Sequence, residues 1–298
     1  MTHDTPTNFN SPLSLSGEPA GVFTGVFSPA AEVTGHGSRV TGEDAVARVD
    51  GLALDPCPVA RDSSPLVVAQ AHGILTGKSS PSWPEFGSAF FAARYPHVAT
   101  VNTEYFELPL PRLAAVRNPA RSRRLVRRLL TAAQYRVEMR EEPAEIAFVS
   151  HSNGAVLAMQ ACRELIAQGI AVRSLIMIAP AVRTKDASSE VAKWLDTGML
   201  DYALLVQPMA DTLIGGIARN WRTKLVAWPW GSLGSDGWDL SEIGDVFPNI
   251  PETIALPDMG HTDPVSVNAR LWLYESIIAP ALGLAPWGGV QPNGEVAV

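Results

Sequence analysis

The chain has 298 residues, of which 46% are hydrophobic, 7% aromatic and 18% charged. That composition excludes a disordered or fibrous protein and is enough to bury a sizeable core. No segment reaches the ~20 apolar residues of a membrane-spanning helix: the longest weakly polar stretch, Ile277 to Val290, is broken by Pro280, Gly283, Pro286, Gly288 and Gly289. The start of the chain has neither a basic lead nor an apolar core, so a cytoplasmic protein is the expectation. The two cysteines, Cys57 and Cys162, are too few for a disulfide framework or a zinc knuckle. Cys162 reads as a buried small apolar residue.

The formal charge of −7 is unevenly spread. Arg112 to Arg140 holds nine arginines against one acid, Glu138, which is +8 and leaves −15 for the rest. A solvated helix face accounts for this stretch; a dock for an acidic partner is the alternative. Nucleic-acid binding is disfavoured, because the whole chain is acidic and no aromatic platform interleaves with the arginines.

In chain order, residues 1–64 are rich in Ser, Thr, Pro and Gly and read as an N-terminal extension, partly disordered or holding a small β hairpin. Residues 65–298 form the main domain. Its apolar, β-prone runs are Pro65–Ala71, Val98–Asn102, Glu145–Ser150 and Ser174–Ala179. Asn118-Pro119 starts a helix whose buried stripe is Leu125, Leu129, Ala133 and Val137, widened by Val126 and Leu130. A helix from Gly154 to Gln168 ends at a Gly169 cap.

Residues 183–222 read as a lid, with helical stretches at Ser189–Leu195 and Tyr202–Val206 and many apolar side chains that line a site or pack a core equally well. Thr223–Trp230 and Glu252–Pro257 read as further strands, and Pro264 to Ile278 as a last helix with Val267, Leu271 and Leu273 turned inward. Strands alternating with helices predict an α/β fold: a mostly parallel, doubly wound sheet covered on both faces.

Three short motifs carry chemistry. Ile146 to Val149 followed by Ser150-His151-Ser152-Asn153-Gly154 and an apolar helix places a serine at the apex of a strand-to-helix turn, with small neighbours where backbones nearly touch. Ser150 stands where a G-x-S-x-G pattern has its first glycine. Val67 to Ala71 runs into His72-Gly73-Ile74, and Leu256-Pro-Asp-Met-Gly260-His261 puts a histidine just after a late strand.

These motifs resemble the α/β-hydrolase superfamily in their order, nucleophile first and histidine last, over roughly residues 65–280. Trp83 and Phe86 after the His-Gly loop are similar to the serine esterase and lipase branch. The resemblance implies Ser152 as nucleophile, His261 as general base, and the backbone amides of Ile74 and Asn153 as the oxyanion hole.

The acid that orients the histidine is expected after the strand Thr223–Trp230. Asp236 is chosen, with Asp239 as the alternative and Asp245 as a distant third. His72 is read as structural and His151 as packing beneath the turn. The implied activity is hydrolysis of a small or lipid-like carboxylic ester through an acyl-enzyme. Thioesterase, amidase or acyltransferase activity is the in-class alternative, and a non-catalytic binding protein on the same fold the alternative of another class. Trp228, Trp230 and Trp238 line a pocket or fill space, and medium-chain or aryl esters are expected over acetate. No metal is expected, since His3, His36 and His97 lack ligand spacing, and no nucleotide cofactor, since Gly35-His-Gly37 precedes no strand–helix unit.

Overall fold

The computed structural model describes residues 64–73, 82–103, 111–140, 143–214, 231–239, 241 and 251–284. They all fall within one unit, Val40–Val298. Its frame is a six-stranded sheet in the order β2-β1-β3-β4-β5-β6, every pair parallel. The strands are β1 Leu66–Ala71, β2 Val98–Asn102, β3 Glu145–His151, β4 Val172–Ile178, β5 Leu200–Pro208 and β6 Glu252–Leu256. β1 and β4 are buried along their whole length, as parallel strands covered on both faces must be.

Helices α1 Trp83–Arg94, α2 Pro111–Arg140, α3 Asn153–Ala167 and α4 Thr184–Asp196 connect the strands. Alternate residues of β1 to β5 feed two cores, and β6 feeds one. One joins Val67, Phe148, Leu175 and Leu205 to Leu129 of α2 and Leu157 and Cys162 of α3. The other joins Leu66, Val149, Ile176 and Leu204 to Trp83 and Phe91 of α1 and to Tyr274 and Ile278 near the C-terminus. Burial pushes the Cys162 thiol well up, as expected of an inert core cysteine.

The structure moves several boundaries. α2 begins at Pro111, so Asn118 and Pro119 lie inside it. The intervening Arg-Leu-Ala-Ala-Val-Arg favours helix, and Pro111 occupies the first helical position, where a missing amide costs nothing. Of the stripe, Leu125, Val126 and Leu129 are buried and Leu130 and Ala133 partly buried against the core, while Arg117, Arg123, Arg124, Arg127 and Arg128 are exposed. Gly169, at φ +77°, terminates α3 as expected, the Ile170 amide reaching back to the Leu165 carbonyl.

Within the expected lid, Tyr202–Val206 is the middle of β5 and not a helix. A short, wholly apolar run has no periodicity to separate the two, and pairing with β4 and β6 decides for strand. Residues 184–208 are thus a helix and a strand of the main sheet unit, and residues 215–222 lie outside the described residues, as do residues 1–63, Ile74, the Thr223–Trp230 run, Asp245 and Val290.

Near the C-terminus, helix proper starts only at Arg270, and a wider turn at Tyr274–Ile278 separates Arg270–Leu273 from Ala279–Ala281. That phase buries Leu273, Tyr274, Ile277 and Ile278 but leaves Val267 and Leu271 exposed, correcting the inward assignment of those two.

α3 sits unusually close to the end of β1. A Cβ built on Gly154 would lie 2.1 Å from the Ala71 carbonyl oxygen and 2.8 Å from that of His72. Because those atoms are backbone, the helix itself must move to admit a methyl group. Gly154→Ala is therefore expected to destabilise the fold by about 1–3 kcal/mol in urea titration; an unchanged midpoint would contradict the close approach.

Candidate active site

Three loops at the carboxyl ends of β3, β5 and β6 meet at the top of the sheet. Ser152 follows β3 directly and holds φ 55° and ψ −125°, a conformation that side-chain-bearing residues rarely adopt. Its amide donates to the Ile178 carbonyl, and its own carbonyl accepts from the Ala155 and Ala181 amides, so β4 and α3 together fix the turn. Ser150, in place of a glycine, is fully buried and donates its hydroxyl to the Ile176 carbonyl. Gly73 closes the other side. A Cβ there would lie 2.8 Å from Ser152 Cβ and 3.3 Å from Ser152 Oγ, so only glycine lets this loop approach the serine.

His261 lies five residues past β6. Its Nε2 is 2.8 Å from Ser152 Oγ, and its Nδ1 is 2.7 Å from Asp211 Oδ2. A carboxylate accepts, so the proton sits on Nδ1, and Nε2 is left with a lone pair toward the serine hydroxyl. The His261 side chain is 9% exposed and that of Asp211 is 1%. The Asp211 Oδ1 accepts from the Ile214 amide at 3.0 Å, which orients the carboxyl as a cap on the turn after β5. Burial pushes the Asp211 carboxyl up, but the hydrogen bond and charge of His261 and the amides of Ile214 and Leu213 outweigh it and hold it below its ordinary value. Such a line can pass the serine proton to imidazole while a fixed negative charge faces the imidazolium.

The structure brings Ser152 and His261 together but puts Asp211, not Asp236 or Asp239, on the histidine. Asp236 is exposed at the end of a single helical turn, Leu233–Asp236, and accepts from Ser235 Oγ. Asp239 accepts from the amide and hydroxyl of Ser241. The physical reason is strand order: β5 is adjacent to β6, so the loop after β5 is the one that reaches His261. Reading Leu200–Pro208 as a strand would have exposed Asp211, three residues beyond its end.

Asn153, fully buried, is the first residue of α3 and so stands where an oxyanion amide is expected; Ile74 lies outside the described residues. His72 donates Nδ1–H to the Gly73 carbonyl at 2.7 Å and is structural in position. Trp238 is buried, with its indole N–H on the Glu252 carbonyl, and so fills space beside β6. Among the described residues, no group of three or more His, Cys, Asp or Glu could hold a metal ion, and no helix is long and apolar enough to cross a membrane.

His151 is fully buried beneath the turn. Burial, the neighbouring His261 charge and that of His72 push its pKa down to about 3, against the opposing influence of its hydrogen bond to His261 and the charge of Asp211.

A family model described as Thioesterase domain matches residues 111–215, a span that includes Ser152 and Asp211. Among solved structures, the chain is similar to an uncharacterized protein from Bacillus cereus, at 13% identity and TM-score 0.44, covering 79% of this chain and 65% of that one. An arylesterase is similar at 13% identity and TM-score 0.44, covering 74% and 76%. The NocB thioesterase domain, in covalent complex with a fluorophosphonate nocardicin G analog, is similar at 16% identity and TM-score 0.38, covering 76% and 98%. No curated protein matches the chain by sequence. The family match supports a hydrolase of ester or thioester bonds, and with the parallel sheet it agrees with the α/β-hydrolase resemblance of the sequence motifs.

The His151 value sets a pH dependence of stability. Its folded pKa lies below the ordinary 6.5, so unfolded chains take up the proton first; the stabilisation is complete above pH 6.5 and is lost as pH falls toward about 3. Between pH 7 and about pH 4.5, wild type should lose more of its urea midpoint than His151→Gln. Parallel losses would contradict the assignment.

Proposed function

We propose that the protein is a serine hydrolase that cleaves acyl esters and thioesters. The observation that carries this reading is the unbroken hydrogen-bonded line from Ser152 Oγ through the His261 ring to Asp211. Ser152 attacks the acyl carbonyl as His261 Nε2 takes its proton; the imidazolium then returns that proton to the leaving alcohol or thiol. A tetrahedral oxyanion forms and collapses to a Ser152 acyl ester, which water hydrolyses by the same steps in reverse roles. Asp211 holds the Nδ1–H tautomer and faces the positive charge on the ring. The amides of Asn153 and Ile74 are assigned to the oxyanion, each worth about 10²–10³ in turnover.

The match to the thioesterase family favours thioesters within this class. An apolar acyl group is favoured by exposed Met209 and Leu213, on either side of Asp211, and by exposed Val267 and Leu271 beyond His261. Turnover is then expected to rise from acetyl toward octanoyl donors, and a steady fall along that series would contradict the apolar side.

The test of the site is a set of carboxamide substitutions assayed on p-nitrophenyl and thiol esters of one acyl chain. Asp211→Asn should lower kcat by about 10³–10⁴-fold with the fold retained, whereas Asp236→Asn and Asp239→Asn should match wild type. Loss of turnover in Asp236→Asn with Asp211→Asn active would overturn the assignment, and no turnover by wild type on any acyl donor would favour a binding protein on this fold.

A further inference from the structure

His151 takes no part in the proton path just described, yet it lies against the Ser152 turn, the His261 loop and the Gly73 loop. It is the last residue of β3 and the chain neighbour of Ser152. Its ring lies 5.0 Å from the His261 ring, centroid to centroid, at 47°. Its Nε2 is 2.9 Å from the His261 carbonyl oxygen, which can only accept, so the proton is on Nε2 and the bond runs from the His151 ring to the His261 main chain. Its Nδ1 faces Gly73: a Cβ on that glycine would lie 3.1 Å from it. Among the described residues, this buried Nδ1 has no hydrogen-bond partner.

A fully buried imidazole whose second nitrogen finds no partner among the described residues is disfavoured as mere packing, since an apolar ring would fill the same space without burying two polar atoms. The one hydrogen bond it makes is to the main chain of His261. Asp211 fixes the far side of the His261 ring, but a side-chain contact alone leaves the backbone of a loop residue free to shift the whole ring. The loop also closes on itself, through Gly260 N–H to Asp263 Oδ2 at 2.7 Å and the Asp263 amide to the Gly260 carbonyl. The His151 bond ties this self-closed loop down to the sheet.

We propose that His151 is a positioning residue: its Nε2–H anchors the His261 carbonyl and so sets the distance and angle at which the imidazole meets Ser152. The role rests on the hydrolase reading above. Burial keeps His151 neutral, so no second positive charge opposes the His261 imidazolium. His151 exchanges no proton; it acts through His261.

The test compares wild type with His151→Gln, His151→Asn and His151→Leu on p-nitrophenyl butyrate, with thermal unfolding of each. Gln carries an amide N–H near the Nε2 position, whereas Asn carries one near Nδ1 and cannot reach the carbonyl. The expected result is kcat lowered roughly 10- to 100-fold in Asn and Leu with KM little changed, and largely restored in Gln. A proton spectrum adds a second readout. The downfield His261 Nδ1–H signal should persist in wild type and Gln and broaden or vanish in Asn and Leu.

Equal kcat per folded molecule in all four proteins, or equal loss in Gln, Asn and Leu, would overturn the proposal. If Leu fails to fold, the Gln and Asn pair still decides. If wild type turns over neither this ester nor the thiol esters and longer acyl donors above, the hydrolase reading fails; the downfield signal then tests the anchoring alone, and its survival in Asn would overturn that too.

Discussion

A serine held at φ 55° and ψ −125° at the end of a buried parallel strand is the constraint on which the rest of the site depends. A non-glycine residue in such a region costs about 1–3 kcal/mol and persists only where its surroundings over-determine it. Here they do. The Ile178 carbonyl takes its amide, the Ala155 and Ala181 amides take its carbonyl, and Gly73 and Gly154 let β1 and its loop press against the turn from the other side. The same crowding aims Oγ away from the sheet, at His261 Nε2. Sheet formation thus supplies the strain and its support together, through ladders that pair β3 with both β1 and β4.

The facing positions of Asp211 and His261 depend on a second pairing. β5 and β6 run in parallel with Pro208 opposite Leu256, and the ladder continues past the strands as the Met209 amide donates to the Leu256 carbonyl and the Ala210 amide to that of Met259. These bonds fix the two loops in register, so Asp211 and His261, far apart in sequence, face each other at 2.7 Å. Asp211 is then oriented by its own turn through the Ile214 amide. Ser152 and Asp211 are thus held by main-chain amides of their own turns, and the His261 carbonyl by the His151 ring.

The parts of the fold and site legible in the sequence are those carried by local pattern. Val98–Asn102 and Glu252–Leu256 announce themselves as β-prone runs between turn residues, and Ser152 by the strand–turn–helix around it. Asp211 was hidden because Leu200–Pro208 is apolar almost throughout, and such a run has the same appearance in a buried strand and a buried helix. Only its neighbours in the sheet settle which it is. With that run read as part of a lid, the next candidate acid in the chain is Asp236. Exposure of Val267 and Leu271 was hidden for a similar reason: helical phase near the C-terminus is set by where the helix starts and by the wider turn at Tyr274–Ile278, neither of which local spacing reveals. From the sequence His151 reads as packing, because its partner, a main-chain carbonyl 110 positions away, leaves no mark in composition or spacing.

The proposal that Ser152 is an activated nucleophile is tested most directly by intact-mass analysis after incubation with a fluorophosphonate, followed by peptide mapping. A single adduct is expected on native protein, located at Ser152, absent from heat-denatured protein and from Ser152→Ala. Folded wild type that remains unlabelled, or an adduct that survives Ser152→Ala, would contradict it.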